Sequence, residues 1–380
     1  VIASAAASPR LLGLVAEPID DFRTAQTRNS RLFRELEQRF PIAGIVHPEM
    51  GRIDDLANKA RFVTRDRWRW RGRAALNGWR FDHLSSDAEK ELQAREGSYD
   101  LIFLLQTLFG PGREPGRHRY VVYTDNIYPL TRHHYPLWAD LGTREQRRWI
   151  AREGEVCRRA SRVFTMTEYL RRAMIDGYGC EPERVVTVGA GANAGVDSLA
   201  GRSWDSRQAL FVGIDFVRKG GHDLLAAWPL VRDQIPDARL TIVGPHDAVA
   251  DLPAGVAWAG HIADRDRLAR MFLEATAFVL PSLFDPCPHV LREAMGYGLP
   301  CVTTNVGALP ELVADGQTGL VVEPRDPAAL AKALVSLLGD PGRAEELGRR
   351  AHAQNLEHNA WPVVASRMAP HIAAAAGERL

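Results

Sequence analysis

Two carboxylates, Asp285 and Glu293, are separated by seven residues in the stretch LFDPCPHVLREAMGYGLP, and two adjacent cations, Arg218 and Lys219, precede the pair Gly220-Gly221. The chain uses four lysines against 44 arginines, so a lysine at 219 is against its habit. A compact ammonium suits a phosphate as a point charge, while a planar guanidinium beside it binds oxygens in pairs. Next to a glycine-rich helix start, itself an anion site, the two read as a diphosphate clamp. Two solvated loop cations are the plainer alternative.

Placing these groups requires strands that end at one edge. Residues 277–280 read as a buried strand ending at Pro281-Ser282, followed by a helix that opens near Pro288, since proline is tolerated in a first turn and no deeper. Gly298-Leu299-Pro300 stops that helix. Residues 301–304 read as the next strand, and Asn305-Val306-Gly307 opens a further helix with Glu311 in its first turns. A strand at 209–213 leads into the two cations. Others are expected at 239–243 and 256–259, ending in Gly244-Pro245-His246 and Gly260-His261-Ile262, both histidines reading as loop residues. The first half shows the same alternation, with strands at 11–16, 42–47, 101–105, 120–123, 163–166 and 185–188 and a helical segment over 23–40. Such alternation predicts parallel sheets covered on both faces, and ligands bind outside the carboxyl ends of such strands. Thr124-Asp125-Asn126 delivers polar side chains to that edge of the first sheet. Asp125, His133 and His134 could orient a hydroxyl, or Asp125 and Asn126 could simply close a turn. Thr24 and Thr27, at the start of segment 23–40, join Asn126, His133 and His134 as candidate acceptor contacts. A small, polar linker over 194–206 follows a glycine-rich bend at 189–193. The expected domains are 1–197, 198–362, and a last helix, 363–380, after a break at Trp361-Pro362. From residue 323 to about 358 the chain reads as helical.

A net charge of +1 argues against a nucleic-acid or whole-molecule membrane binder. Cys157, Cys180, Cys287 and Cys301 have no metal-ligand spacing, which predicts no metal and a reducing, cytoplasmic compartment. No apolar run reaches bilayer length, and the opening residues lack a basic flank, so neither a transmembrane segment nor a leader is expected. Residues 61–80, RFVTRDRWRWRGRAALNGWR, read as an amphipathic helix with solvated arginines and tryptophans packed on the sheet. The alternative is a surface that touches anionic lipid or a charged acceptor.

At Asp285, Glu293, Ala294, Met295, Gly298 and Pro300 the chain resembles the family 4 glycosyltransferases, retaining enzymes of the GT-B fold. Their signature is two acids separated by seven residues, then a Glu-Ala-Met-like segment, a small residue, glycine and proline. Cys287-Pro288 stands where the family has Phe-Gly, and Asp285 where it usually has Glu. Lys219-Gly220 matches the family's Lys-Gly, and Asp125, with Thr124 before it, partly matches its His-Asp pair. The resemblance implies two Rossmann-like domains facing a cleft, with the last helix crossing back to the first. It implies a retaining transferase that moves a sugar from a nucleoside-diphosphate sugar to an acceptor hydroxyl, without metal or cofactor. Arg218, Lys219 and the amides at Gly307 and Ala308 would stabilise the leaving diphosphate, Glu293 would accept from the ribose, and Asp285 would hold sugar hydroxyls. Gly213, Gly244, His261, Pro288, His289 and Val290 would complete the donor site. The alternatives are a nucleotide-sugar-binding protein without transfer, an epimerase or a phosphorylase. Expected partners are the nucleotide sugar, an unidentified acceptor, at most a peripheral membrane contact, and a second copy in a homodimer.

Overall fold

The alternation of apolar runs and helical segments resolves into two six-stranded parallel sheets in a computed structural model that describes residues 8–19, 21–25, 27–135, 141–245 and 251–378. The chain divides into two compact units, Val1–Gly189 with Trp361–Leu380 and Ala190–Ala360.

The first unit runs β1 (Leu11–Val15), α1 (Arg28–Glu37), β2 (Ile42–Val46), α2 (Arg52–Arg61), α3 (Arg67–Ala75), α4 (Gly78–Gln93), β3 (Leu101–Leu105), β4 (Tyr120–Thr124), α5 (Tyr128–His134), α6 (Thr143–Arg159), β5 (Arg162–Thr165), α7 (Glu168–Tyr178) and β6 (Val185–Thr187). Its strand order is β2-β1-β3-β4-β5-β6. β1, β3 and β4 are buried at every position. Strands covered on both faces carry unbroken apolar runs, which is what the sequence shows. The stretch 61–80 is not one helix: it spans the end of α2, all of α3 and the start of α4. Trp70 Nε1 donates to Lys59 O at 2.8 Å, and Trp79 packs on His83 with ring centroids 4.0 Å apart and the ring planes tilted by 45°.

One buried carboxylate ties several loops of this unit together. Glu153, on α6, accepts from Thr107 Oγ1 at 2.6 Å, Tyr128 N at 3.0 Å, Trp149 Nε1 at 3.2 Å and the Tyr178 hydroxyl. Burial raises its pKa, while these donors pull it back down. Glu153→Ala would strand four buried donors, and is expected to destabilise the protein by about 3 kcal/mol in denaturant unfolding. A variant as stable as the parent would show that water replaces the carboxylate.

The second unit runs β7 (Gln208–Val212), α8 (Gly221–Gln234), β8 (Arg239–Val243), β9 (Val256–Gly260), α9 (Arg265–Glu274), β10 (Ala277–Leu280), α10 (His289–Gly296), β11 (Cys301–Thr304), α11 (Leu309–Leu312), β12 (Gly319–Val322), α12 (Pro327–Leu338) and α13 (Pro341–His358). Its order is β12-β11-β10-β7-β8-β9, so the strand direction of winding reverses between β7 and β10. Strand β12 has no counterpart in the sequence reading. The helical run beyond it is two helices, capped by Asp326 and Asp340 side chains that accept from Ala329 N and Arg343 N.

Residues 190–197, placed by sequence before the domain boundary, are tied to the second unit. Ala192 N donates to Asn359 O at 2.7 Å, Val196 N to Gly296 O at 3.0 Å, and His352 Nε2 lies 2.7 Å from Val196 O. The last helix, α14 (Trp361–Gly377), belongs to the first unit, where it packs on α1, β4 and β5. Trp361-Pro362 opens α14 instead of breaking the chain before it, because a first-turn proline gives up only an N–H that no helix carbonyl needs.

Candidate active site

Strand β7 ends at Val212, and the chain turns through 213–220 into α8. Hydrogen bonds from Lys219 N to Asp215 O (3.0 Å), Gly220 N to Val217 O (3.1 Å) and Gly221 N to Phe216 O (2.8 Å) close this turn. Leu283 N donates to Arg218 O at 2.8 Å, which joins it to the segment after β10. The contact is closer than any side chain would permit. Gly220 has φ 72°, and a Cβ there would sit 1.8 Å from Pro281 O. At Gly213 a Cβ would fall 2.2 Å from Lys219 Cδ, so the lysine stem lies directly over the strand end. The turns after β7 and β10 therefore meet where the order of the sheet reverses, the position at which open α/β sheets take ligands.

Here Arg218, Lys219 and Asp285 come together. Arg218 Nη1 and Lys219 Nζ each stand 3.6 Å from Asp285 Oδ2. Arg218 also donates from Nε to Asp215 Oδ2 at 3.0 Å and from Nη1 to Phe284 O at 2.8 Å. All three side chains are largely buried, at 12%, 14% and 7% exposure. Burial lowers the Lys219 pKa, opposed by Asp285, and Arg218 lowers it further. The carboxylate thus holds both cations in fixed positions beside the strand end. Asp285 is itself fixed, with Cys287 N donating to its Oδ1 at 3.2 Å.

One of the expected donors is used inside the protein. Ala308 N, assigned to the leaving diphosphate, donates to Asp285 O at 3.0 Å. Gly307, with φ 55°, leaves room for that contact, because a Cβ would lie 2.4 Å from the same oxygen. Both residues brace the Asp285 turn. The turn itself offers few amides: Pro286 and Pro288 have none, and His289 N donates to Cys287 O at 2.9 Å. What remains are side chains, with Cys287 Sγ 3.6 Å from His289 Nε2 and 3.5 Å from Arg292 Nη1.

Glu293 lies on α10 beside this cluster. Burial raises its pKa, against the pull of His289, a hydrogen bond from Asn193, and the charges of Arg265 and Lys219. A carboxylate in such a place favours ligands that bring hydroxyl donors. Asn193 reaches it because Gly195 packs against α10, where a Cβ would come within 3.0 Å of Gly296 O. Sequence reasoning saw only a glycine-rich bend at 189–193 and missed Asn193. It also missed Ser282, whose hydroxyl is buried at the end of β10 with no hydrogen-bond partner among the described residues. Nothing in the local sequence marks either one.

The other candidates are placed as follows. Gly244 packs against Gly213, with a Cβ 2.7 Å from its carbonyl carbon, and serves backbone contact between β7 and β8. Pro288 is the residue preceding α10, His289 and Val290 form its first turn, and His261 is exposed after β9. His246 lies outside the described residues. In the first unit, Asp125 is half-buried after β4, and Thr124 Oγ1 donates to Asn126 O at 2.8 Å, closing the turn that the simpler reading expected. His133 and His134 are exposed in the last turn of α5. Two threonines are structural: Thr27 caps α1 reciprocally with Ser30, and Thr24 Oγ1 donates to Asp21 Oδ2 at 2.8 Å. Among the described residues, no group of three His, Cys, Asp or Glu side chains is arranged to hold a metal ion, and no helix is long and apolar enough to cross a membrane.

Comparison with known proteins follows this division. Residues 206–340 match the family model described as Glycosyl transferases group 1. The chain is similar to the glycogen synthase of Mycobacterium tuberculosis, 37% identical over 182 residues, which cover 45% of this chain and 44% of that protein. It is 30% identical to the D-inositol 3-phosphate glycosyltransferase of Acidothermus cellulolyticus over 69% of this chain and 64% of the relative. The chain thus spans between about half and two thirds of these relatives. Among solved structures it resembles sucrose-phosphate synthase from Thermosynechococcus elongatus, with TM-score 0.66 and 19% identity over 94% of this chain and 97% of the other. It also resembles Anabaena HepE in complex with UDP-glucose, with TM-score 0.63 and 17% identity over 95% and 98%. At these identities the structures establish the fold, which is GT-B.

Proposed function

Since residues 206–340 are a glycosyl transferases group 1 domain in a chain of GT-B fold, we propose that this protein transfers a sugar from a nucleoside-diphosphate sugar to an acceptor hydroxyl with retention of anomeric configuration. The observation that carries the reading is the pair Arg218 and Lys219, held by Asp285 at the reversal of the second sheet. The leaving diphosphate gains negative charge as the glycosidic bond breaks, and prepositioned cations in a buried site lower the energy of that state more than that of the bound substrate. Asp285 and His289 face the sugar, Glu293 takes the ribose hydroxyls, and the α8 N-terminus behind Gly220 adds a favourable field for phosphate. Acceptor recognition falls to the first unit, with Asp125 at its β4 edge. HepE, solved with UDP-glucose, makes uridine diphosphate sugars the first donors to try.

A panel of nucleotide sugars tests this by thermal shift followed by product analysis. A true donor present at about a hundred times its Kd adds roughly 2.7 kcal/mol of stability. Finding no stabilising nucleotide sugar would overturn the proposal. Binding without transfer to any acceptor would favour the second reading, a nucleotide-sugar-binding protein, for which the amide-poor turn at Pro286-Cys287-Pro288 is the supporting feature.

Metal is not required in this reading, because Arg218 and Lys219 supply the charge that a divalent ion would bring to a diphosphate. Transfer is expected to continue at an undiminished rate in excess chelator. Loss of activity restored by magnesium or manganese would show that the two cations are not sufficient.

A further inference from the structure

Helix α2 presents its apolar side outward. Ile53, Leu56, Ala57 and Ala60 recur at the spacing of one helical face, and all four are exposed, Ile53 at 84% and Leu56 at 69%. Val63, just beyond the helix, is 68% exposed. Among the described residues these are all the large aliphatic side chains that the first unit leaves exposed, and they fall within eleven positions. The inward side is polar. Asn58, the buried residue of α2, donates to Ala74 O at 2.7 Å and accepts from Asn77 Nδ2 at 2.9 Å. A helix that packs on its own protein does the reverse, turning its apolar stripe to the core.

Around this stripe basic side chains outnumber acidic ones. Residues 52–73 hold eight basic and three acidic side chains, a net +5 in a chain of net +1, which leaves −4 for the rest. The acids are offset locally: Asp55 pairs with Lys59, Asp66 lies 3.8 Å from Arg69, and Asp54 lies 4.0 Å from His83. Arg52, Arg61, Arg65, Arg67, Arg69 and Arg71 are exposed. Trp70 Nε1 fastens α3 to the end of α2 at Lys59 O, so the basic helix and the apolar stripe are held together.

We propose that α2 and α3 form a docking surface for an anionic lipid bilayer, with Ile53, Leu56 and Val63 entering the interface and the surrounding arginines lying among the headgroups. Apolar insertion and basic attraction together are the two signals that peripheral attachment requires. The remainder of the chain, net negative, is repelled by the same surface, which orients the molecule. This proposal does not depend on the transferase reading and is tested without an activity measurement.

The full chain is mixed with vesicles of phosphatidylglycerol and phosphatidylcholine, or of phosphatidylcholine alone, and sedimented. Binding is expected only with phosphatidylglycerol and should weaken as salt rises. The double variant Ile53→Ser, Leu56→Ser and the double variant Arg61→Glu, Arg65→Glu should each lower partitioning by at least about tenfold with unchanged melting temperature, since all four side chains are exposed. Failure of the parent chain to sediment with phosphatidylglycerol vesicles overturns the proposal, as does full binding by the serine variant. A parent dimer in solution that ignores vesicles and dissociates on the serine substitutions would assign the face to a second copy of the chain.

Discussion

Lys219→Ala is expected to lower the turnover of nucleotide-sugar transfer by roughly 100-fold or more, as loss of one preorganised charge-stabilising donor does. The ammonium is buried and 3.6 Å from Asp285 Oδ2. Burial lowers its pKa, and Asp285 and Asp215 oppose that shift. Its charge would matter most as the diphosphate departs, so the loss should fall on kcat more than on KM. Lys219→Arg is not expected to restore the rate, because a planar fork presents its charge and donors differently from a compact ammonium. The alanine variant should fold, since removal of a desolvated cation leaves Asp285 still beside Arg218. A folded Lys219→Ala protein with unchanged turnover would remove the clamp from the mechanism.

The second large effect is expected at Glu293. If it accepts from the two ribose hydroxyls, Glu293→Gln should weaken the nucleotide sugar and the free nucleoside diphosphate alike, by about 10-fold to 100-fold, the range for hydrogen bonds to a charged group. A 2′-deoxy donor should lose much less on the variant than on the parent, because the bond it lacks is already gone. Equal losses on both proteins would mean that Glu293 does not touch the ribose.

Stability provides an independent check on the same residue. Burial raises the Glu293 pKa above its ordinary 4.5, so as pH climbs past that value the folded protein keeps a proton that the unfolded chain has released. Stability contributed by this group therefore falls with rising pH up to the raised pKa and stays lower above it. Glutamine abolishes that slope. At neutral pH the variant should melt no lower than the parent, which separates lost ligand contact from lost structure.

The second unit was legible to the degree that its chemistry is local. Asp285 and Glu293 share one turn and one helix, Arg218 and Lys219 share one turn, and punctuation by Pro288 and Gly298 places the helix between them. Strand β12 and the division of the run beyond it were less so, because the four residues Gly319–Val322 carry too short an apolar run to be told from a helix segment. The single basic helix expected over 61–80 failed for a related reason. Alternating arginine and tryptophan has no helical period, and the chain breaks between α2 and α3 at Thr64 to Asp66, where Thr64 Oγ1 donates to Asp66 O at 2.9 Å.

Among the acceptor candidates, sequence and structure part over what a polar residue near a strand end is for. Thr27 and Asn126 have the right types for ligand contact, and also for a helix cap and a turn, which is how the structure uses them. Ala308 N was expected to face the diphosphate and is held by Asp285 O, since an amide's direction depends on the partner loop and not on its own sequence.

By itself, the sequence determined the parallel α/β class, the two acids, the two cations and the helix that follows Pro288, because periodicity, proline and glycine act within a few residues. Only the tertiary structure decided that β7 and β10 are neighbours. That pairing brings Lys219 to Asp285 across 66 positions of chain, through a glycine contact at Gly220 and Pro281 that no local pattern encodes. It also decided that Asn193 belongs to Glu293, and that α2 turns Asn58 inward and Ile53 outward. Side-chain surroundings are set by which distant segments close around them, and strand order, which governs that closure, leaves no periodic trace in the residues of any one strand.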